Sequence, residues 1–170
     1  YSILALMRPL VFLLIVSFVV VSDQWTKYLA ESRLTVGGSI EVIPGFFDMT
    51  LVYNPGAAFG MFGSWPDQTR QIALWSVSAL ALAVLVWFIF KEAKEDRTSL
   101  VALSAIFGGA AGNLVDRFRF DAVVDFIDIY VGSYHWPAFN VADSAISVGV
   151  VVLLLRSFAI KPTNNKIEPS

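Results

Sequence analysis

Charged residues divide this chain into long apolar stretches, and the lengths of those stretches predict membrane-spanning helices. A helix needs about 20 mostly apolar residues to cross the hydrocarbon core of a bilayer. Residues 71–90 and 98–115 contain no Asp, Glu, Lys or Arg and are long enough to cross. Two less regular apolar stretches cover residues 9–22 and about 138–155. The pattern therefore predicts four transmembrane helices.

The first and last of these stretches carry polar residues at membrane depth. Residues 9–22 reach membrane length only if the helix continues past Asp23 and Lys27. The last stretch contains Asn140 and Asp143. An ionisable side chain in a membrane costs on the order of a few kcal/mol unless it is paired or hydrated, so these residues are candidates for function.

The segments between the predicted helices differ in character. Residues 49–66 are free of charge, but three Gly and two Pro residues would break a helix there, so they are not predicted to cross. Residues 35–53 are rich in β-branched and aromatic residues and predict a small strand-rich element. Residues 121–136 mix aromatic residues with aspartates, which is typical of a membrane interface. Gly and Ala at positions 108–112 let other helices approach closely and predict a central third helix.

Four crossings bring both termini to the same side of the membrane. Seven Lys and Arg residues flank that side and five flank the other. The positive-inside rule therefore predicts cytoplasmic termini and extracytoplasmic connecting segments. Residues 1–160 are predicted to form a single integral-membrane domain. Residues 161–170 contain two Pro and two Asn and are predicted to be a disordered cytoplasmic tail.

Composition supports a membrane protein and excludes several classes of function. Of the 170 residues, 56% are hydrophobic and 15% are charged, whereas soluble domains carry about 25% charged residues. A net charge of -2 without a basic stripe argues against nucleic-acid binding. The absence of cysteine excludes thiol nucleophiles, and a single histidine, His135, excludes paired-His zinc sites. The sequence therefore predicts no metal and no cofactor.

Two aspartates are the candidates for catalysis. Asp143 lies near the outer end of the last span, and Asp125 precedes it by one aromatic and polar loop on the same side. Two carboxylates that share a site do not ionise together easily, so one keeps a proton near neutral pH. In an aspartyl protease one carboxylate takes a proton from water while its protonated partner polarises the scissile carbonyl. The alternative is that Asp143 simply neutralises Arg117.

Three further polar clusters are predicted on the same side. Asp23 and Lys27 share one helical face, where they also fit a local ion pair. Asn54, Pro55 and Gly56 have the composition of a turn, which fits a plain loop equally well.

The third cluster lies at the outer end of the third predicted helix. Asn113, Asp116 and Arg117 are spaced by three and four residues and can share a helical face. The structural alternative is a helix end with a self-contained pair of Asp116 and Arg117.

These clusters, taken in order, resemble the lipoprotein signal peptidases, also called signal peptidase II. The resemblance covers about residues 9–158 and rests on five segments: DQWTK at 23–27, NPGAAF at 54–59, GGAAGNLVDR at 108–117, VVDFID at 123–128 and FNVADS at 139–144. Each motif is weak alone, but five in this order and at these membrane positions are specific.

The resemblance implies an all-α membrane protein with four transmembrane helices and a small extracytoplasmic β element. It implies an aspartyl endopeptidase of the bacterial inner membrane that cuts the signal peptide from a prolipoprotein just before a diacylglyceryl-modified cysteine. The active site would lie towards the outer face, and water would be the nucleophile. The partners would be this substrate and membrane lipid, and we expect a monomer.

The resemblance also assigns roles to residues, position by position. The catalytic pair falls on Asp125 and Asp143. The surrounding polar residues and those in supporting roles are Asn54, Gly56, Asn113, Arg117, Asn140, Asp23 and Lys27.

Two other classes of function fit an intramembrane aspartate. A proton-coupled carrier places its site near the bilayer midplane, often between repeated halves. Here both aspartates lie towards one face and no repeat is visible. In a scaffold protein the aspartates would serve packing alone, so a single Asp substitution that leaves the protein folded but inactive would distinguish that class.

Overall fold

The structure, a computed structural model, describes residues 3–56, 66–92 and 96–159. In chain order it contains helix α1 (Ile3–Arg33), strands β1 (Ser39–Ile43) and β2 (Phe47–Asn54), helices α2 (Asp67–Glu92) and α3 (Arg97–Phe120), strands β3 (Val123–Val131) and β4 (Tyr134–His135), and helix α4 (Val141–Ala159). The predicted tail at 161–170 and residues 57–59 of the NPGAAF motif lie outside the described residues.

All four helices are long and apolar enough to cross a membrane, which confirms the predicted number of spans. The first continues without interruption past Asp23 and Lys27 to Arg33, as predicted from the length that a membrane crossing needs. The last begins at Val141, later than the predicted start near residue 138. Residues 137–140 are not helical, because Phe139 pairs with β3 and the Asn140 side chain caps the helix.

Helix α3 is central, because it packs against α1, α2 and α4. Its glycines are the points of closest approach. A Cβ atom on Gly109 would collide with the carbonyl oxygen of Ala142 on α4, and one on Gly108 would lie 2.9 Å from Cβ of Val19 on α1. The small residues in the second half of α3 thus bring the polar ends of α1 and α4 close together.

The four strands form one antiparallel sheet in the order β1-β2-β3-β4. Strands β1 and β2 confirm the strand-rich element predicted at 35–53. Strand β3 lies in the segment that was predicted as an interfacial connection. It pairs with β2, with Asn54 opposite Val123 and Val52 opposite Asp125. This pairing joins the two connecting segments. Its first residues are buried without a break, so they lack the alternating pattern that marks a half-exposed strand.

The sheet covers one end of the helix bundle. A buried apolar cluster at this end joins Ala30 of α1, Leu51 of β2, and Val124 and Phe126 of β3. Successive side chains of a strand point to opposite faces. Because Val124 and Phe126 face this cluster, Asp125 between them points the other way.

Candidate active site

The two predicted catalytic aspartates come together at the sheet end of the bundle. Asp125 comes from β3 and is only 2% exposed, whereas Asp143 lies in the first turn of α4. Both line one cavity of about 620 Å³, together with the predicted site residues Asn54, Gly56, Asn113 and Arg117. Strand pairing and the helix start thus bring two carboxyl groups from separate elements to one cavity wall.

Asp143 is oriented by the start of its own helix. The Asn140 side chain caps α4, because its Oδ1 accepts a hydrogen bond from the Asp143 backbone N–H at 2.9 Å. In return Asp143 Oδ2 accepts from the Asn140 backbone N–H at 3.3 Å. This reciprocal arrangement is a capping box built from Asn and Asp. The other oxygen, Oδ1, accepts from Asn113 Nδ2 at 2.8 Å.

Asp125 is held by two amide groups. Asn54 Nδ2 donates to its Oδ2 at 3.0 Å, and Asn140 Nδ2 donates to its Oδ1 at 2.8 Å. The Asn54 amide is itself fixed, because its Oδ1 accepts from the backbone N–H of Gly56 at 3.0 Å. Gly56 has a φ of +95°, a conformation that favours glycine. The predicted turn therefore aims one amide at Asp125.

The surroundings of Asp125 change its acidity. Burial raises the pKa of Asp125 to about 7, and the negative charge of Asp143 acts in the same direction. The hydrogen bonds from Asn54 and Asn140 stabilise the charged form and oppose the rise. A carboxyl group with this pKa retains its proton readily near neutral pH. The pair can therefore present one proton donor and one proton acceptor to the same cavity.

Arg117 lines the cavity but, within the described part of the chain, makes no direct ion pair with Asp143. Its Nη1 donates to the backbone oxygen of Asn113 at 3.3 Å, and among the described residues its buried Nε has no hydrogen-bond partner. Both oxygens of Asp143 instead accept from Asn113 and Asn140. Among the described residues Arg117 therefore makes no direct salt bridge with Asp143, although the charge of Asp143 still acts on the guanidinium group.

Asp116 belongs to a different group of charges. Its Oδ2 lies 2.7 Å from Lys27 Nζ, and its Oδ1 accepts from Gln24 Nε2 at 2.8 Å. The alternative of a self-contained pair with Arg117 is therefore wrong. Lys27 also lies 2.7 Å from Asp23 Oδ2, so the predicted local pair is present but extends to a third charge. Helical spacing within α1 could not reveal this partner, because it comes from α3.

Sequence reasoning missed part of the cavity wall. Ser144 and Ser147 extend the wall along α4, and Trp136 to Phe139 form the connection that leads into it. Phe139 pairs with Ile127 of β3 through backbone hydrogen bonds of 2.9 Å and 3.1 Å. The aromatic character of this connection was visible in the sequence, but its pairing with β3 was not.

Comparison with known proteins identifies the family. The family model described as signal peptidase (SPase) II matches residues 15–159. A lipoprotein signal peptidase of Desulforapulum autotrophicum is 48% identical over 148 residues, which are 86% of this chain and 91% of that protein. One from Syntrophus aciditrophicus is 42% identical over 149 residues, which are 87% of this chain and 92% of that protein.

Solved structures agree with the sequence relatives. A bacterial membrane enzyme solved by the in meso method at 2.3 Å matches with a TM-score of 0.79 and 34% identity, and the match covers 94% of both chains. A second, solved at 1.9 Å, matches with a TM-score of 0.78 and 36% identity over 88% of this chain and 94% of that one. The chain therefore belongs to the signal peptidase II family and is an aspartic peptidase of a bacterial membrane.

Proposed function

We propose that this chain removes the signal peptide from diacylglyceryl-modified prolipoproteins and cuts just before the lipidated cysteine. One observation carries the proposal: Asp125 and Asp143 line the same cavity at one end of four apolar helices, and amide donors hold each of them. A peptide bond next to a membrane-anchored lipid would have to be cut at such a place.

The proposed reaction uses the two carboxyl groups in different protonation states. Asp125, whose pKa is raised to about 7, donates a hydrogen bond to the scissile carbonyl oxygen. Asp143, held by Asn113, takes a proton from the attacking water. The hydroxide oxygen bonds to the carbonyl carbon, and collapse of the tetrahedral intermediate breaks the C–N bond. The leaving amine takes the proton that Asp143 accepted.

We propose that the enzyme spans the bacterial inner membrane several times, with cytoplasmic termini and the active site towards the outer face. The sheet and both aspartates lie at the end of the bundle where α1 ends and α4 begins. The other end carries the larger number of Lys and Arg residues in the sequence, which supports this orientation.

We assign the other predicted residues according to their contacts. Asn54, Asn113 and Asn140 hold the carboxyl groups, and Gly56 gives Asn54 its turn. Arg117 lines the cavity, where its positive charge suits a lipid head group or the substrate backbone. The proposed reaction uses two carboxyl groups and water, so it needs no metal or cofactor.

The test is cleavage of a purified diacylglyceryl-modified prolipoprotein by the purified protein. Asp125→Asn and Asp143→Asn should each abolish cleavage, because Asn keeps the size of the side chain but removes the titrating group. Residues that act as one unit are non-additive, so the double variant should be no worse than either single variant.

Asp128→Asn is the matched control, since Asp128 lies on the same strand but bonds to His135 at the exposed side of the sheet. It should retain most activity. A well-folded Asp143→Asn protein that cleaves at the wild-type rate would refute the aspartate mechanism. Equal cleavage of the unmodified precursor would refute the requirement for the lipid.

A further inference from the structure

A buried group of three charges lies beside the aspartate pair, and the proposed reaction does not use it. Lys27 is 1% exposed, and Asp23 and Asp116 are fully buried. The Lys27 ammonium lies 2.7 Å from a carboxylate oxygen of each aspartate. We call Asp23, Lys27 and Asp116 the ion triad. Burying three charges is costly, and an ion triad contributes little to stability compared with an apolar core of similar volume.

The ion triad touches the backbone directly before each proposed catalytic residue. Asp23 Oδ1 accepts from the N–H of Ala142, which precedes Asp143, at 2.9 Å. Asp116 Oδ2 accepts from the N–H of Val124, which precedes Asp125, at 3.0 Å. The two carboxylates that surround Lys27 therefore anchor α4 and β3 at the positions from which the catalytic side chains project.

Lys27 also contacts Asn113, which in turn binds Asp143. Its Nζ donates to Asn113 Oδ1 at 3.0 Å, and the same oxygen accepts from Asn140 Nδ2 at 3.2 Å. The Asn113 nitrogen is thereby directed at Asp143 Oδ1, which accepts from it at 2.8 Å. Reversing this amide would set its NH₂ group against an ammonium and its oxygen against a carboxylate. The Lys27 ammonium and the Asn140 amide therefore both favour the orientation in which the Asn113 nitrogen faces Asp143.

We infer that Lys27 is a positioning residue, which acts through the Asn113 amide to hold Asp143 in the geometry that the reaction needs. Asp23 and Asp116 balance its charge and tie it to the backbone of α4 and β3. This inference rests on the proposed function, since it assigns a role in the same reaction to a residue that does not line the cavity.

The decisive variant removes the ammonium and keeps the rest of the anchoring. Lys27→Met alone leaves two buried carboxylates without a counter-charge, so it is combined with Asp23→Asn. The ion triad has a net charge of -1 in the wild type, and the double variant also has -1, from Asp116 alone. The Asn introduced at position 23 can still accept from Ala142 N–H, and Asp116 can still accept from Val124 N–H.

The measurement is kcat and KM on the lipidated prolipoprotein, with thermal unfolding of the same samples. We expect kcat to fall about 10- to 100-fold, the value of one hydrogen bond to a charged group, while KM changes less than about threefold. Arg156→Met is the control, since it removes another ion pair of the bundle, with Asp96 at 2.9 Å, far from the cavity lining. It should leave kcat unchanged.

A mutant cycle separates positioning from general loss of structure. If Lys27 acts through Asn113, the loss in kcat from the double variant should largely disappear when Asn113→Ala is already present. Losses that simply multiply, or a folded double variant with wild-type kcat, would overturn the inference. Wild-type protein that fails to cleave the substrate would instead refute the proposed function, so the two failures are distinguishable.

Discussion

Burial of Asp125 on β3 changes the pH at which this carboxyl group loses its proton. Its pKa in the folded protein is about 7, above the ordinary value of 3.8. The folded state therefore binds a proton more tightly than the unfolded state between about pH 4 and pH 7. Stability that the protonated group contributes at low pH is lost as the pH rises through this window.

We predict that Asp125→Asn weakens this pH dependence of stability. The unfolding temperature of the wild type should fall from pH 4 to pH 8 more steeply than that of the variant, measured by thermal unfolding in detergent. Asp121→Asn is the control, because Asp121 is exposed at the end of α3 with a φ of 54°, which Asn tolerates well. Parallel curves for the wild type and Asp125→Asn would contradict the raised pKa.

The same pKa predicts how activity depends on pH. In the proposed reaction Asp125 carries a proton and polarises the carbonyl, so kcat/KM should fall as the pH rises above about 7. The measured midpoint belongs to the pair of aspartates rather than to one residue. A rate that is unchanged between pH 6 and pH 9 would exclude Asp125 as the proton donor.

Arg117 is the subject of a further prediction for a single residue. A guanidinium group has five donors in a fixed plane, and Lys keeps the charge but not this geometry. Arg117→Lys should therefore lower kcat/KM by about tenfold, mainly through KM, as expected for a hydrogen bond to a charged group. Arg119→Lys is the matched control on the exposed side of the same helix. Unchanged kcat/KM for Arg117→Lys would show that Arg117 does not bind the substrate through its guanidinium geometry.

The start of α4 combines a structural and a chemical task in one side chain. Asn140 caps the helix through its oxygen and holds Asp125 through its nitrogen. Asn140→Ser keeps a good cap but loses the nitrogen donor, so it should lower kcat and lower the unfolding temperature less than Asn140→Ala does. Asn140→Ala should lower kcat and also lose about 1 kcal/mol of stability with the cap. A Ser variant with wild-type kcat would show that only the cap matters.

The packing of α1 against α3 explains why α3 has a glycine at position 112, near the site. A Cβ atom on Gly112 would lie 2.7 Å from Asp23 Oδ2, the oxygen that binds Lys27. Glycine at this position therefore leaves room for the ion triad between α1 and α3. The small residues of α3 serve the polar end of the bundle as well as helix packing.

For the whole molecule, the prediction concerns its orientation in the membrane. These 170 residues contain no cysteine, so introduced cysteines report on topology without interference from others in this sequence. Ser133 lies in the exposed turn between β3 and β4, and Thr98 is exposed in the first turn of α3 at the opposite end. In intact cells an impermeant maleimide should label Ser133→Cys and not Thr98→Cys. Permeabilised cells should show labelling of both, and the reverse pattern in intact cells would overturn the proposed orientation.

Local patterns were sufficient for the four helices and for the strand-rich element after the first. Hydropathy over about 20 residues depends only on neighbours in the sequence, and the continuation of α1 past Asp23 and Lys27 followed from the length that a membrane requires. The same patterns did not reveal β3, whose first residues are buried without alternation. Its identity as a strand depends on pairing with β2, which is distant in the sequence.

The amino-acid sequence alone shows which side chains are available for chemistry at this end of the bundle: aspartates, amides, Lys27 and Arg117, with no cysteine and one histidine. Their arrangement was decided by tertiary structure. Asp116 binds Lys27 rather than its neighbour Arg117, and Asn113 links Lys27 to Asp143, because α1, α3 and α4 meet where glycines permit close contact. Spacing along one helix shows which side chains share a face, but only packing determines which charge on another helix lies opposite.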